Sequence, residues 1–402
     1  MKFSVLLPTR NRLDLLQYAI ETVRGQDYDN WEIIVSDNFS EDDINGYVQS
    51  LNDQRIKYFR TDSFIPVTDN WNNALDKSEG DYVIMLGDDD GLMQGYFSRL
   101  KELIEKYQSP DVIYTGAFHY AYPGVMPWAK NGYLVPVSCA KFMQDASEPF
   151  ILEKEMRMKM LENSLNFKSR FDYNLQFFLV KQSYIQSLKK FGPFYQSPYP
   201  DYYAANVLML KADKILVNPK PCIAIGISPK SFGFFYFNDL EADGNKFLKN
   251  IPDTEIVNQI KTIIMQGVEM NTSWLIAMET IYTNFKNEMT LKVNYKRYRL
   301  LQIFAFYTKY YFGKVKVKSQ KTDFWNSMNP LEQVLFGIPL MIVCSLVALI
   351  FSKRYQQLFG KLLMRTLRVY SRFPYQIISE KYTTMVEVFE NIDPYNVKVK
   401  RK

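Results

Sequence analysis

Histidine is nearly absent from this 402-residue chain: His119 stands alone. A histidine-rich metal centre, or two histidines acting in concert, is thereby excluded within the chain. Cysteine is almost as scarce. Cys139, Cys222 and Cys344 lie far apart, with neither the number nor the spacing of a disulfide framework or a zinc site, which points to a reducing compartment. No GxGxxG and no Walker A glycine–lysine motif occurs, so a dinucleotide fold or a P-loop would lack its phosphate-binding signature. A secretory leader is not expected, because the apolar run of residues 3–7 is short and Pro8 ends it; it reads as a first strand. A net excess of positive charge is missing from most of the chain. The net charge is +6, yet the fifty residues from Lys353 carry +7 by themselves, leaving residues 1–352 close to neutral. That argues against a nucleic-acid-binding core and for an anionic surface at the C-terminal end.

What is present is apolar and aromatic: 47% hydrophobic residues, with 29 Phe and 29 Tyr. The length suits one large catalytic domain plus an appendage, or two to three domains. The apolar run Tyr82–Leu86 predicts a strand buried on both faces, and it ends in Gly87-Asp88-Asp89-Asp90-Gly91. Adjacent carboxylates repel unless a cation neutralises them, and carboxylate oxygens suit Mg²⁺ or Mn²⁺ with a substrate diphosphate as the third party. The plainer reading is an acidic, solvent-facing turn.

Around that strand, apolar segments 2–7, 31–35, 55–60 and 111–115 alternate with helical spacing at Leu13–Val23, Trp71–Leu75 and Tyr96–Tyr107. Asn11 is placed to cap the first helix, with Asp14 at the third helical position. The alternation predicts an α/β fold built on a mostly parallel sheet, which binds ligands beyond the carboxyl ends of its strands. Three polar clusters fall there: Thr9–Arg12, Asp37-Asn38 and Asp88–Asp90.

Pro8-Thr9-Arg10-Asn11-Arg12, Val35-Ser36-Asp37-Asn38-Phe39-Ser40, Asn70-Trp71-Asn72-Asn73-Ala74 and Leu86-Gly87-Asp88-Asp89-Asp90 resemble, in order and spacing, the successive motifs of the family-two glycosyltransferases with the GT-A fold, of the bacterial surface-polysaccharide type. The resemblance covers about residues 1–235. It implies that Pro8, Thr9, Arg12 and Asn70 line a nucleotide-sugar pocket and that Asp37 accepts a hydrogen bond from the base, commonly uracil. Gly87 stands where the family's Asp-x-Asp motif usually has its first aspartate. On that alignment Asp88 serves the ribose or diphosphate, Asp89 holds Mn²⁺ or Mg²⁺, and Asp90 is a second candidate ligand or a support.

Farther on, Phe191–Tyr203 is a Gly/Pro-rich loop running into a helix at Asp201. By itself Asp201 reads as a helix N-cap. The resemblance makes it the catalytic base of an inverting transfer, taking the acceptor hydroxyl's proton. Pro200 replaces the acidic residue that often precedes it. Lys230, in a Gly-containing loop after two short apolar strands within residues 214–227, is either a phosphate-closing cation or one exposed lysine on a turn. His119 reads as a packing residue among aromatics, with a role at the sugar or metal as the alternative. Met156, Met158 and Met160 read as core filler on a covering helix.

Residues 236–330 read as a helical extension and 331–402 as a membrane-associating region. Between Lys286 and Lys321 ten Lys or Arg face one acid, Glu288, among Tyr and Phe, a composition suited to a membrane interface. Val334–Phe351 is uncharged over 18 residues, contains Pro339, and is basic on both flanks, which disfavours spanning. Tyr355 to Tyr370 with Lys361, Arg365, Arg368 and Arg372 forms a basic amphipathic pattern. Monotopic or re-entrant attachment at the cytoplasmic face of a bacterial inner membrane is the expectation. Core helices with homo-oligomer contacts are the alternative. The expected function is metal-dependent transfer from a UDP-sugar or other nucleotide-sugar donor to a lipid-linked saccharide. A sugar-phosphate nucleotidyltransferase and an inactive membrane scaffold are the competing readings.

Overall fold

The computed structural model describes residues 1–126, 128–137, 143, 146–168, 174–238, 240, 243–244, 246, 254–265, 268–313, 320–367, 377–379 and 381–397. Cys139, Lys314, Lys316, Lys318, Arg368, Tyr370 and Arg372 lie outside the described residues. In chain order the first half runs β1 (Phe3–Thr9), α1 (Leu13–Arg24), β2 (Trp31–Asp37), α2 (Ile44–Ser50), β3 (Ile56–Arg60), α3 (Val67–Asp76), β4 (Tyr82–Met85), β5 (Gly91–Leu92), α4 (Tyr96–Lys106) and β6 (Val112–Ala121). Then come β7 (Tyr133–Val137), β8 (Phe150–Ile151), α5 (Lys154–Leu165), β9 (Phe178–Lys181), α6 (Gln182–Leu188), α7 (Pro200–Lys211) and β10 (Ile215–Ile227).

All ten strands join one sheet in the order β3-β2-β1-β4-β9-β6-β10-β5, with β7 beside β6 and β8 beside β10. The expected parallel arrangement holds for β3, β2, β1 and β4 and again for β6 and β10. It is interrupted by β9, which lies antiparallel to both β4 and β6, so the sheet is mixed. No turn signal marks a central antiparallel strand as short as Phe178–Lys181, which is why its place depends on pairing far along the chain. The two short strands expected within 214–227 are one strand, β10, whose register against β6 shifts around Pro221. Proline cannot donate to the ladder, and the shift accommodates it.

β1, β2 and β4 are apolar on both faces because helices cover each side, and Phe3, Val5, Leu6, Ile33, Ile34 and Ile84 are fully buried. Asn11 does not cap α1. It has a left-handed backbone (φ 53°), and its Oδ1 accepts from the Glu41 N–H at 2.7 Å, tying the β1–α1 loop to the loop after β2. The N–H of Leu13, at the start of α1, donates instead to Asp42 Oδ2 at 3.1 Å.

The C-terminal half is helical, as expected: α8 (Phe232–Phe237), α9 (Thr254–Ile260), α10 (Glu269–Phe285), α11 (Tyr295–Phe312), α12 (Gln320–Ser327), α13 (Pro330–Ile350), α14 (Lys353–Thr366) and α15 (Met385–Asn391). Trp274, Leu275, Ile281, Tyr298 and Leu301 of α10 and α11 belong to the same core as the sheet, so the extension packs continuously with it. Past α14 the chain returns to the sheet. The Leu134 N–H donates to the Ser379 carbonyl and the Leu134 carbonyl accepts from the Ile378 N–H, and Met385 and Val388 of α15 are buried against α1 and β5.

Candidate functional site

β4 delivers the acidic triplet to the carboxyl edge of the sheet, and the residues after it are pinned at once. Gly91 and Leu92 of β5 pair with Ala224 and Ile223 of β10. Each carboxylate of the triplet then takes a different partner. Asp88 accepts from Thr9 Oγ1 and from Arg12 Nη1, both at 2.7 Å. Asp89 Oδ2 accepts from Ser228 Oγ at 2.7 Å. Asp90 turns back, its Oδ1 accepting from the Gly226 N–H at 2.8 Å and its Oδ2 from the Gly87 N–H at 2.9 Å.

Two glycines make this possible. A Cβ on Gly87 would lie 2.6 Å from Asp90 Oδ2, and one on Gly226 would lie 1.8 Å from the Asp89 carbonyl oxygen. Gly226 faces backbone and admits no side chain, whereas a side chain at Gly87 would push the Asp90 carboxylate out of its place.

The triplet forms one wall of a cavity of about 280 Å³. Pro8, Thr9, Arg10 and Arg12 from the end of β1 line it, as do Asn38, Asn70 and Trp71. Gln176, Tyr199, Asp201, Tyr202 and Phe232 line the same cavity, with the α10 residues Met270 and Ser273. Arg10 stacks on Phe64, guanidinium carbon to ring centre 3.8 Å, at the mouth beside Asn38.

Asp201 is not the N-cap of α7. Tyr199 holds that position, Pro200 begins the helix, and the Asp201 Oδ1 accepts from the Leu175 N–H at 3.1 Å. Burial among Tyr195, Tyr199 and Tyr202 raises its pKa to about 7; the single hydrogen bond from Leu175 offsets only part of that. The same desolvation pushes Asp89 and Asp90 upward, Asp90 well above the ordinary range, with mutual repulsion adding to it. Arg12 moves up in spite of its own burial, because Asp88, Asp89 and Asp90 all face it.

Among the described residues no three His, Cys, Asp or Glu side chains converge as metal ligands. The charge nevertheless leaves room for a cation. One guanidinium faces three buried carboxylates, and Asp89 and Asp90 already hold protons more tightly than free aspartates. Mg²⁺ and Mn²⁺ sites that use one or two carboxylates and complete their shell from substrate phosphate need no three-residue cluster. Asp90 has both oxygens on backbone N–H groups, so Asp89 is the better-placed ligand and Asp90 shapes the loop.

The other expected residues are placed as follows. Asn70 lines the cavity and braces it, its amide bridging Ser36 Oγ and the Ser36 carbonyl. Asp37 is not brought to the cavity. It is fully buried, with Oδ1 accepting from the Ser40 N–H at 2.9 Å and Oδ2 from Tyr58 Oη at 2.7 Å; Asn38 takes its place in the wall. Lys230 lies outside the wall too. Its Nζ donates to the Asn11 carbonyl at 2.6 Å while its own carbonyl accepts from Arg12, so it clasps the loop after β10 to the loop after β1. His119 lines the cavity, and burial lowers its pKa to about 4, so it is neutral at pH 7.

The structure adds Ser228, Gly226 and Gln176 to the site. Gln176 is buried on the cavity wall, and its Oε1 has no hydrogen-bond partner among the described residues. A Gly-x-Ser step closing an apolar run was the one sequence signal for the first two, and Gln176 carried none.

Residues 4–185 match the sequence profile described as Glycosyl transferase family 2. This stretch is a family 2 glycosyl transferase domain. It covers β1 through the middle of α6, hence the nucleotide-side loops and the triplet, whereas Asp201 and Ser228 lie beyond it. Among its relatives, the GalNAc(5)-diNAcBac-PP-undecaprenol beta-1,3-glucosyltransferase of Campylobacter jejuni is 44% identical over 104 residues, 25% of this chain and 34% of that one. The UDP-Glc:alpha-D-GlcNAc-diphosphoundecaprenol beta-1,3-glucosyltransferase WfgD of Escherichia coli is 30% identical over 87 residues, 22% of this chain and 34% of that one. The chain thus spans about a third of the length of these curated relatives. The crystal structure of S. aureus TarS 1–349 superposes with a TM-score of 0.45 at 17% identity, over 94% of this chain and 95% of that one.

Proposed function

We propose that this protein transfers a sugar from a nucleoside-diphosphate sugar, with UDP as the favoured nucleotide, to a hydroxyl of a lipid-linked saccharide at the cytoplasmic face of the membrane, inverting the anomeric centre. The observation that carries the reading is the presence of two unlike acidic sites in the wall of one cavity. One is a carboxylate triplet beside Arg12; the other is a single carboxyl, Asp201, with a pKa of about 7. A group with that pKa is poised to accept a proton near neutral pH. The family 2 domain supports sugar transfer, and the names of both relatives support a diphosphoundecaprenol-linked acceptor; the second also names UDP-Glc as donor.

In this mechanism Thr9, Arg10, Arg12 and Asn38 hold the nucleotide, with Asn70 keeping the β2 edge in place. Arg12 neutralises part of the diphosphate's charge without leaving Asp88. Asp201 holds the acceptor hydroxyl and takes its proton as the oxygen attacks the anomeric carbon. The nucleoside diphosphate departs from the opposite face of the sugar. Mg²⁺ or Mn²⁺ held by Asp89 would supply positive charge against the leaving diphosphate. The ring of Tyr199, stacked on Tyr202 with centres 4.3 Å apart, keeps water from the base.

The test is transfer by purified full-length protein from radiolabelled UDP-glucose, and from other nucleotide sugars in parallel, to a polyprenyl-diphosphate saccharide. Product with one donor, lost in Asp201→Asn while nucleotide binding persists, is the expected result. A sugar-phosphate nucleotidyltransferase would instead release inorganic diphosphate from a nucleoside triphosphate, and that product would overturn the proposal.

A further inference from the structure

The helices beyond the sheet end in a pair whose outer surface is left uncovered by the described residues. On α13, Val334, Leu335, Ile342, Leu346, Leu349 and Ile350 are exposed, Leu349 by 82%. α14 continues the surface with Tyr355, Leu358 and Leu362. Between Val334 and Thr366 there is no acidic residue, and Lys353, Arg354, Lys361 and Arg365 are all exposed. An apolar face edged only by cations complements an anionic lipid surface and suits the inside of a second globular protein poorly.

The geometry also decides between lying on a bilayer and crossing it. α13 is long and apolar enough to cross a membrane. Its first turn, however, is held to the body by a bidentate pair, Arg299 to Glu332, with both N···O distances 2.7 Å. Its inner side packs on α11 through Leu340 and Cys344, and Ser345 Oγ donates to Tyr311 Oη at 2.9 Å. At its far end Gln356 donates to the carbonyls of Ala348 and Phe351, at 3.0 and 2.7 Å, closing a tight turn into α14. α14 then packs back on α11 at Gly360, where a Cβ would come 2.9 Å from Thr308. Both helices therefore rest on α11, and residues 377–397 return to the sheet. No part of the pair is separated from the body by a bilayer's thickness.

The inner end of α14 reaches the cavity. Met364 packs in one small apolar cluster with Tyr199, Phe232 and Met270, and those last three line the cavity that holds Asp201. An apolar strip thus lies between the inner side of α14 and the cavity that holds the base.

We propose that the α13–α14 pair lies in the plane of an anionic lipid surface, and that the strip Met364–Phe232–Met270–Tyr199 receives the first units of a polyprenyl chain whose diphosphate-linked saccharide enters the cavity. This rests on the reading of the cavity as a transferase site. The membrane arm does not, and the experiment separates the two.

Full-length protein and the Leu358→Glu/Leu362→Glu double variant are floated with vesicles of phosphatidylcholine alone and of phosphatidylcholine with phosphatidylglycerol. Both are then assayed with a long-chain polyprenyl-diphosphate saccharide and with a short-alkyl analogue soluble in water. The parent is expected to float with the anionic vesicles at least about tenfold better than with neutral ones. The variant is expected to lose flotation and long-chain transfer together, keeping short-alkyl transfer within about twofold, since both side chains point away from the body. Flotation that is unchanged in the variant, or an equal loss on both acceptors, overturns the proposal. A dimer that dissociates in the variant, with no flotation by the parent, overturns it too and makes the face a contact between copies. Absence of transfer from every donor by the parent would defeat the transferase reading alone; flotation still judges the membrane face. For the strip, Met364→Ala is expected to raise KM for the long-chain acceptor at least about tenfold more than KM for the short-alkyl one; an equal change in the two KM values refutes it.

Discussion

The sharpest consequence of the site is a pH dependence centred on Asp201. Burial among tyrosines with one backbone N–H donor holds this carboxyl at about 7. A base must be ionised, so kcat/KM is expected to rise with pH through that value and level above it. One unit below the pKa about a tenth of the groups are ionised, which makes the rate at pH 6 roughly tenfold below the plateau. An ordinary aspartate, with a pKa near 4, would give no such limb. Asp201→Asn is expected to lower kcat by about 10²–10⁴ and leave nucleotide binding nearly untouched. Stability carries an independent signature. Between about pH 4 and pH 7 the folded state holds a proton on Asp201 that the unfolded chain has released. Stability contributed by this group therefore falls as pH rises through that window and is level above it. The variant loses that slope. The assays are initial rates and urea titrations from pH 5 to 9. A flat rate profile with an active Asn variant would refute the assignment.

Three further outcomes follow from the triplet. Gly87→Asp, which writes in the aspartate that the family motif usually carries, is expected to cost roughly 1–3 kcal/mol by overpacking against Asp90 and to reduce transfer, as read by urea titration and initial rates; higher activity would contradict the packing argument. Arg12→Met leaves Asp88 buried without its cation, at a cost of about 3–5 kcal/mol, and weakens nucleotide binding measured by calorimetry. Chelator is expected to abolish calorimetric binding of UDP and added Mn²⁺ or Mg²⁺ to restore it; binding that ignores both would leave Arg12 and backbone donors as the whole diphosphate site.

How far the sequence could be read depended on the distance over which each feature is determined. The strands at 3–9, 31–37 and 82–85 were legible because burial on both faces writes an unbroken apolar run. The loops after them were legible because ligand chemistry sits at strand ends. β9 was not, since four residues of modest pattern owe their place to β4 and β6 rather than to themselves. Asp37 shows the same limit inside the site. Its neighbours in sequence place it at the correct strand end, but Tyr58, one strand away, takes the oxygen that a base would need. Lys230 looked like a phosphate ligand and is a clasp, because the Asn11 carbonyl is exposed to it by a left-handed turn. In each case the residue type was read correctly and its partner was decided across the sheet.

Gly87 shows what such a partner changes. In sequence it looks like a lost aspartate and is the best argument for a decayed site. In the fold its hydrogen side chain leaves the space in which Asp90 turns back, and its own N–H holds the Asp90 carboxylate there at 2.9 Å. Asp90 in turn fixes Gly226, and Ser228, two residues on, holds Asp89. The glycine is thus a working part of a loop that keeps two buried carboxylates close together against their repulsion. Such a loop costs free energy to fold. A scaffold with no cation or diphosphate to bind would gain nothing by retaining it, and neutral substitutions at Asp89 or Asp90 would relieve the strain. The arrangement favours a site still used for anion and cation chemistry over a relic of one.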